Sequence, residues 1–289
     1  MTDPTPVEIG GNGTVLAERH GRTLLITLNR PEARNAVNLD LTVGVGEALD
    51  YADRTPEIWT VIVTGAGEVA FCAGADLKAA ARGELTSGDE RLTRWGFAGF
   101  VRHAISKPVI AAVNGFALGG GTEIALASDL VVAVETANFG LPEVKRGLFA
   151  GAGGAFRLPR QIPAKIAMEA MLTGRPITAA RAYELGLVNA VVPADKLLEA
   201  AFGLADAINA NAPLAVQVTK RLARGIDAGT VLGEDGPGED GPGAGASVPA
   251  EDADWARNTR EGQRIMASAD AMEGMRAFAE KRAPRWEGK

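Results

Sequence analysis

Four short apolar runs constrain this chain more than anything else in it. Thr23–Leu28, Trp59–Thr64, Val109–Val113 and Leu130–Val134 are each five or six residues long, apolar or β-branched, and bounded by polar or glycine-containing stretches. Runs of that length and composition read as strands rather than helices. Val15–Arg19 pairs with the first of them around His20-Gly21, a hairpin-like arrangement ended by Asn29-Arg30-Pro31. Between the runs, Asn38 is placed to cap a helix reaching about Asp53, with Leu41, Val45, Ala48, Leu49 and Ala52 at helical spacing. Gly119-Gly120-Gly121 leads into a short helix, Thr122–Ser128. Up to about residue 195 strands and helices alternate, which predicts an α/β architecture with helices packed on sheets.

The remainder reads as all-helical, so the expected division is an α/β part over 1–194 and a helical part over 195–289. Ala164–Leu172 and Thr178–Leu185 each end at a glycine, Gly174 and Gly186. Asp195–Asn209 and Leu214–Ala228 have helical character. A last helix is expected to open with a capping-box-like Asp270-Ala-Met-Glu273, to carry Met272, Met275 and Ala279 on one face, to hold Lys281 and Arg282 in its last turn, and to stop at Pro284. Inside this part Gly233-Glu-Asp-Gly-Pro237 is repeated at once as Gly238-Glu-Asp-Gly-Pro242. Such a segment has too little apolar area to offset its ordering entropy, so a disordered insertion is expected at about 233–254.

Charge and residue usage exclude several function classes. Thirty Lys and Arg against 36 Asp and Glu leave a net charge of -6, which argues against a general affinity for nucleic acid or an anionic membrane. A single cysteine, Cys72, permits no internal disulfide and no multi-thiolate metal site. Two histidines, His20 and His103, are too few for a His-rich zinc centre. The start, Met1-Thr-Asp-Pro-Thr-Pro6, lacks the features of a signal peptide, and no apolar run approaches a membrane span. The expectation is a cytoplasmic, soluble protein without a metal.

Two motifs are tempting and fail. Gly65-Ala-Gly67-Glu-Val-Ala70 follows a strand with the G-x-G-x-x-A spacing of a dinucleotide site, but Phe71–Asp76 behind it is no helix, so a turn is the better account. Cys72 sits among Phe and Ala with no partner motif, and reads as a packed small hydrophobe. Two other stretches resist a bland account. Phe71-Cys-Ala-Gly-Ala-Asp-Leu-Lys78 places small residues where backbone approaches a ligand, and Asn114–Glu123 puts three glycines at a helix start. Free amides there form an anion site, although glycines in that position also serve close packing. Glu123 stands in the first turn of an apolar helix, and Glu143 follows Phe139-Gly-Leu-Pro142, ahead of the glycine-rich 147–154 stretch. Each glutamate alone has a structural reading: a helix-dipole partner for Glu123, an N-terminal helix residue for Glu143. Together with the glycines they suggest acid/base chemistry beside a stabilised oxyanion.

The combination resembles the crotonase (enoyl-CoA hydratase/isomerase) superfamily. The residues that carry the resemblance are Asn29-Arg-Pro31, Ala33-Arg-Asn-Ala36, Phe71–Lys78, Lys107-Pro108, Asn114-Gly115, Gly119-Gly-Gly-Thr-Glu123, Phe139–Glu143, Gly151-Ala-Gly-Gly154 and Phe278–Arg282. It implies a spiral of ββα turns followed by a helical C-terminal trimerisation region, in a homotrimer or dimer of trimers. It also implies an oxyanion hole from the amides of Ala75 and Gly120, a water-side base at Glu123 and a C2 acid at Glu143. Coenzyme A, part of the substrate rather than a cofactor, would lie along Ala33, Ala73 and Ala75–Leu77 (Asp76 among them), beside Gly119, Gly120 and Gly151, with Lys281 near its phosphates. No metal or redox cofactor is implied.

Possession of both glutamates favours reversible hydration of a trans-2-enoyl-CoA, since isomerase members usually keep only the counterpart of Glu143. The alternatives are a dehydratase or double-bond isomerase on a carnitinyl, branched or sterol side-chain thioester, and a silent CoA-thioester binder. The chain departs from the family at Phe149-Ala150, where Ile-Pro is frequent, and at Ala155-Phe156, where Thr-Gln is common. Both flank the glycine stretch beside Glu143, so they bear on the acyl group accepted.

Overall fold

The computed structural model describes residues 3–85, 88–227 and 247–288. Its strands are β1 (Thr5–Val7), β2 (Val15–His20), β3 (Thr23–Leu28), β4 (Thr60–Gly65), β5 (Ala70–Cys72), β6 (Val109–Val113), β7 (Phe116–Leu118), β8 (Leu130–Val134), β9 (Asn138–Gly140), β10 (Ile177–Thr178) and β11 (Ala190–Val192). The helices are α1 (Leu39–Arg54), α2 (Leu77–Ala81), α3 (Glu90–Trp95), α4 (Gly120–Ala127), α5 (Gly154–Gln161), α6 (Ala164–Thr173), α7 (Ala179–Glu184), α8 (Leu197–Asn209), α9 (Pro213–Arg224), α10 (Pro249–Met266) and α11 (Ala269–Ala279).

Two sheets organise the molecule. One has seven strands in the order β1-β2-β3-β4-β6-β8-β11, the other four in the order β10-β9-β7-β5. From β3 onward the large sheet is parallel, with Leu24 opposite Val61, Val61 opposite Val109 and Ile110 opposite Leu130. β4 and β6 are buried at every position. Burial on both faces explains why their sequences are continuous apolar runs rather than alternating ones. After each of β4, β6 and β8 the chain turns into a three-residue strand that joins the small sheet, and then into helix. That is the ββα spiral implied by the resemblance.

Local chemistry fixes the helix ends. The Asn38 side chain accepts from Leu41 N at the start of α1. At the other end of α1, the Nζ of buried Lys107 donates to the carbonyls of Ala52 and Thr55, satisfying acceptors that a helix C-terminus leaves open. Gly174 adopts a left-handed conformation just past α6, as its position in the sequence predicts. α8 packs into the same core as the sheets, where Thr60 Oγ1 donates to Asn209 Oδ1 at 2.7 Å.

Four sequence expectations about the helical part are corrected. The helix expected over Leu214–Ala228 ends at Arg224, because Gly225 turns left-handed there. The last helix is capped by Ser268, which accepts from Ala271 N, so its start precedes the Asp270 box. It ends at Ala279, which leaves Lys281 and Arg282 outside its last turn, Lys281 with a φ of +54°. Of the disordered insertion expected at 233–254, the residues up to 246 lie outside the described residues, and the last six belong to the helix Pro249–Met266. Among the described residues no helix is long and apolar enough to cross a membrane, and no three His, Cys, Asp or Glu are grouped to hold a metal ion.

Asn35 welds the N-terminal turn to the loop after β4. It is fully buried with a φ of +54°. Its Oδ1 accepts from Arg30 N at 2.9 Å, and its Nδ2 donates to the carbonyls of Ala66 and Ala70 at 3.0 and 2.8 Å. Replacement by alanine strands all three groups and keeps a β-carbon in a strained conformation. Asn35→Ala is expected to lower stability by about 3 kcal/mol, read as a reduced urea midpoint at unchanged slope.

Candidate active site

Main-chain pairing leaves amides without an acceptor, among the described residues, at two adjoining turns. Beyond β5, Ala73 N donates to Arg34 O at 3.1 Å. Val37 and Ala75 then form a parallel bridge in which Val37 N reaches Gly74 O at 2.8 Å and Asp76 N reaches Val37 O at 2.9 Å. Both bonds use the neighbours of Ala75, so its own N–H faces the other way, and among the described residues it has no acceptor. Asp76 caps α2 by accepting from the amides of Lys78 and Ala79, and pairs with Arg30 at 3.1 Å. Leu77 is the first residue of α2, and Ala33 closes a 3-10 turn over Pro31–Ala33.

The second turn joins β7 to α4. Gly119 has φ +56° and ψ −123°, backbone that a β-carbon disfavours, and its N–H is spent on Gly140 O at 2.8 Å. A β-carbon on Gly120 would stand 2.1 Å from Phe97 Cε1, and one on Gly121 would stand 2.0 Å from Cys72 O. Close packing therefore dictates two of the three glycines, but it does not consume the Gly120 amide, which opens α4 without an acceptor among the described residues. The two turns touch: the β-carbon position of Gly74 lies 3.2 Å from Gly120 N. Packing and anion binding, alternatives in the sequence, coexist here.

Two carboxyls adjoin this pair. Glu123, in the first turn of α4, is 3% exposed. Its Oε1 accepts from Gly154 N, the first residue of α5, at 2.8 Å, and Ala152 N bonds it as well. Burial, then the charge of Glu143, pushes its pKa up to about 8, against the pull of those amides and of Arg157. Glu143 opens a 3-10 turn, Glu143–Arg146. Its Oε1 lies 3.1 Å from where Gly119 would carry a β-carbon, and its Oε2 is shut off from solvent with no partner among the described residues. Burial pushes its pKa up to about 7. Both carboxyls thus hold a proton to higher pH than an ordinary glutamate, in the range where such a group can accept a proton or donate one. Behind them α11 backs the Glu143 turn, where Arg146 stacks 3.9 Å over the Phe278 ring.

Several residues of this site have no role that the sequence assigns to them. The Ala152 and Gly154 amides that hold Glu123, the Phe97 ring against Gly120, and Arg157 are of this kind. Gly151 accepts from Asn258 Nδ2 of α10 at 2.7 Å. Both departures from the family pattern also meet α10: Phe149 Cε1 is 3.6 Å from the β-carbon position of Gly262, and Phe156 lies edge-on to Trp255 at 5.0 Å. Lys281 is exposed, and among the described residues no hydrogen bond or ion pair joins it to the Ala73–Leu77 stretch.

The raised carboxyls make stability depend on pH. A group whose folded pKa exceeds its unfolded value stabilises the fold fully below the unfolded value, and that stabilisation is lost as pH rises through the folded one. For Glu123 the window runs from its ordinary 4.5 to about 8, and for Glu143 from 4.5 to about 7. The urea midpoint of the protein is expected to fall between pH 5 and pH 8, and the double variant Glu123→Gln/Glu143→Gln to remove that slope.

Comparison with known proteins agrees with this geometry. The model of the enoyl-CoA hydratase/isomerase family matches residues 18–229. A carnitinyl-CoA dehydratase from Salmonella typhi is 42% identical over 94% of this chain and 97% of its own length. The enoyl-CoA hydratase EchA19 from Mycobacterium tuberculosis is 42% identical over 95% and 96%. Among solved structures, a carnitinyl-CoA hydratase from Mycobacterium avium superposes with a TM-score of 0.86 at 53% identity, covering 96% of this chain and 99% of that one. An enoyl-CoA hydratase from Mycobacterium tuberculosis gives 0.68 at 44% identity, with the same coverage. With its ββα spiral, its paired glutamates and a family match across most of its length, the chain belongs to the enoyl-CoA hydratase/isomerase family.

Proposed function

We propose that this protein is a hydro-lyase that adds water reversibly to a trans-2-enoyl-CoA, giving a 3-hydroxyacyl-CoA. The observation that carries the reading is the placement of two pKa-raised carboxyls, Glu123 buried and Glu143 half-buried, beside two adjoining turns where the Ala75 and Gly120 amides have no acceptor among the described residues. In the proposed step, Glu123 takes a proton from water as its oxygen bonds to C3. The C2–C3 π electrons shift toward the thioester, whose oxygen gains charge between the amides of Ala75 and Gly120. Glu143 then delivers its proton to C2. Donors aimed at charge that develops only in the transition state lower the barrier selectively, by about 3 kcal/mol for each such donor in comparable sites. CoA would run along Ala33 and Ala73–Leu77, beside Gly119 and Gly151, with Lys281 toward its phosphates; the chemistry calls for no metal or redox cofactor.

The same pair serves the reverse direction. Hydration begins with Glu143 protonated and Glu123 ionised; dehydration begins with Glu123 protonated, where it protonates the departing hydroxyl, and Glu143 ionised, where it takes the proton from C2. The relatives named as carnitinyl-CoA enzymes, at 42% and 53% identity, favour a second reading in which dehydration of a 3-hydroxyacyl-CoA bearing a polar tail is the relevant direction. Leu214, Val218 and Leu222 form an exposed stripe at every fourth residue of α9, 74%, 44% and 79% exposed, and support the proposed trimer of this chain.

The test follows enoyl-thioester absorbance across a series from crotonyl-CoA to long-chain enoyl-CoA, with crotonobetainyl-CoA included. Glu123→Gln and Glu143→Gln are each expected to lose about 10²–10⁴ in kcat while still binding acyl-CoA. Full activity of Glu123→Gln with dominant double-bond migration would instead assign an isomerase. Turnover confined to crotonobetainyl-CoA would assign the second reading.

A further inference from the structure

Helix α10 also meets the site through an ion pair to a buried arginine. Arg157 of α5 is 7% exposed. Its Nε and Nη2 donate to the two carboxylate oxygens of Glu251 at 2.9 and 2.6 Å, and Nη2 also reaches Val101 O at 2.8 Å. Trp255, one turn further along α10, donates from Nε1 to Glu251 Oε2 at 3.2 Å and lies beside the guanidinium. The third nitrogen, Nη1, is buried with no partner among the described residues. It lies 3.2 Å from the β-carbon position of Gly153, while the β-carbon position of Gly154 lies 3.0 Å from Glu123 Oε1. Successive residues of one turn thus meet the arginine and the glutamate.

We propose that Arg157, gripped by Glu251, is a positioning residue for Glu123: it seats the first turn of α5, whose amide holds the Glu123 carboxyl, and sets the charge beside it. This rests on the reading of Glu123 as an acid/base group. A bidentate arginine–carboxylate pair fixes orientation as well as charge, and low local polarity lets that charge act over a longer reach than in water. The charges that act on Glu123 are Glu143, which disfavours its anion, and Arg157, which favours it. The elements packed around Arg157 bring further charges, most of them internally paired. Arg160 pairs with Asp254 at 2.6 Å, Asp129 holds Lys220 and Arg224 at 2.7 and 3.0 Å, and His103 contacts Asp50 at 3.1 Å. Arg102 stacks over Trp255 at 5.0 Å. Arg157 and Glu251 line a cavity of about 170 Å³ together with Arg94, Arg102 and Asp252, on the side of Arg157 away from the paired glutamates. Glu251 lies 94 residues beyond Arg157 in the chain, which makes the C-terminal part a component of the site rather than a cover for it.

The test reads the Glu123 proton directly. Infrared titration of the carboxyl band in the ligand-free enzyme, with Glu123→Gln as the blank, needs no substrate and so is independent of the reaction assigned above. Arg157→Gln removes the favourable charge and is expected to move the Glu123 midpoint to higher pH by about one unit. Glu251→Gln leaves the guanidinium uncompensated and is expected to move it to lower pH by a similar amount. Arg157→Lys, which keeps the charge, is expected to stay near the parent. The matching limb of the kcat pH profile should follow in the same order. Opposite displacements establish the proposal. Midpoints that stay fixed, or that move in the same direction for Arg157→Gln and Glu251→Gln as loosened packing would produce, overturn it. If Arg157→Gln does not fold, Glu251→Gln decides alone: a lower midpoint supports the proposal and an unchanged or higher one overturns it.

Discussion

The chain's hydrogen-bond arithmetic at the Val37–Ala75 bridge underlies the whole site. A parallel bridge uses the carbonyl before and the amide after the bridged residue, and leaves that residue's own N–H pointing outward. The Ala75 amide is thus unspent because of pairing geometry, not because anything near it is flexible. The Asn35 bonds and the Arg30–Asp76 pair hold the flanking turns in register. On the other side, α4 begins where Gly120 and Gly121 fit under Phe97 and against Cys72 with no room for a β-carbon. Two donors held this rigidly need no reorganisation when negative charge arrives.

The two glutamates reach this point by different routes. Glu123 comes from the helix that supplies one of the amides, and its carboxyl is turned across to the start of α5. Glu143 comes from the turn after the small sheet's β9, and Thr122 ties that strand to α4 by accepting from Gly140 N at 2.9 Å. The sheet thereby carries the second carboxyl to the first. Burial raises both pKa values, and the charge of Glu143 raises that of Glu123 further.

Much of this was legible in the sequence, for physical reasons that also explain what was not. The central strands of the large sheet, β4, β6 and β8, are buried on both faces, so they stand out as apolar runs. Asn38 and Gly174 mark their helix ends because each satisfies a specific backbone need. The strands of the small sheet, β5, β7 and β9, are three residues each, too short to show a period. Helix α5 begins on two glycines and contains Pro159, composition that argues against helix. Helix α10 has no buried residue, so it has no apolar stripe to reveal it, and the Gly/Pro-rich stretch before it reads as continuing into its first turn. The two glutamates were visible as acids in apolar segments, whereas Arg157 looks like any other arginine until Glu251 is brought to it from the far end of the chain.

Phe149 and Phe156, the positions where this chain departs from its family, both face α10, across from Gly262 and Trp255. The aromatic rings and the helix are therefore one unit built from distant pieces of sequence. A chimera that imported only the 147–156 stretch of a relative would leave Trp255 without its edge-on ring and a gap opposite Gly262. Transplanting the 147–156 stretch into or out of this scaffold thus means moving loop and helix as a matched set.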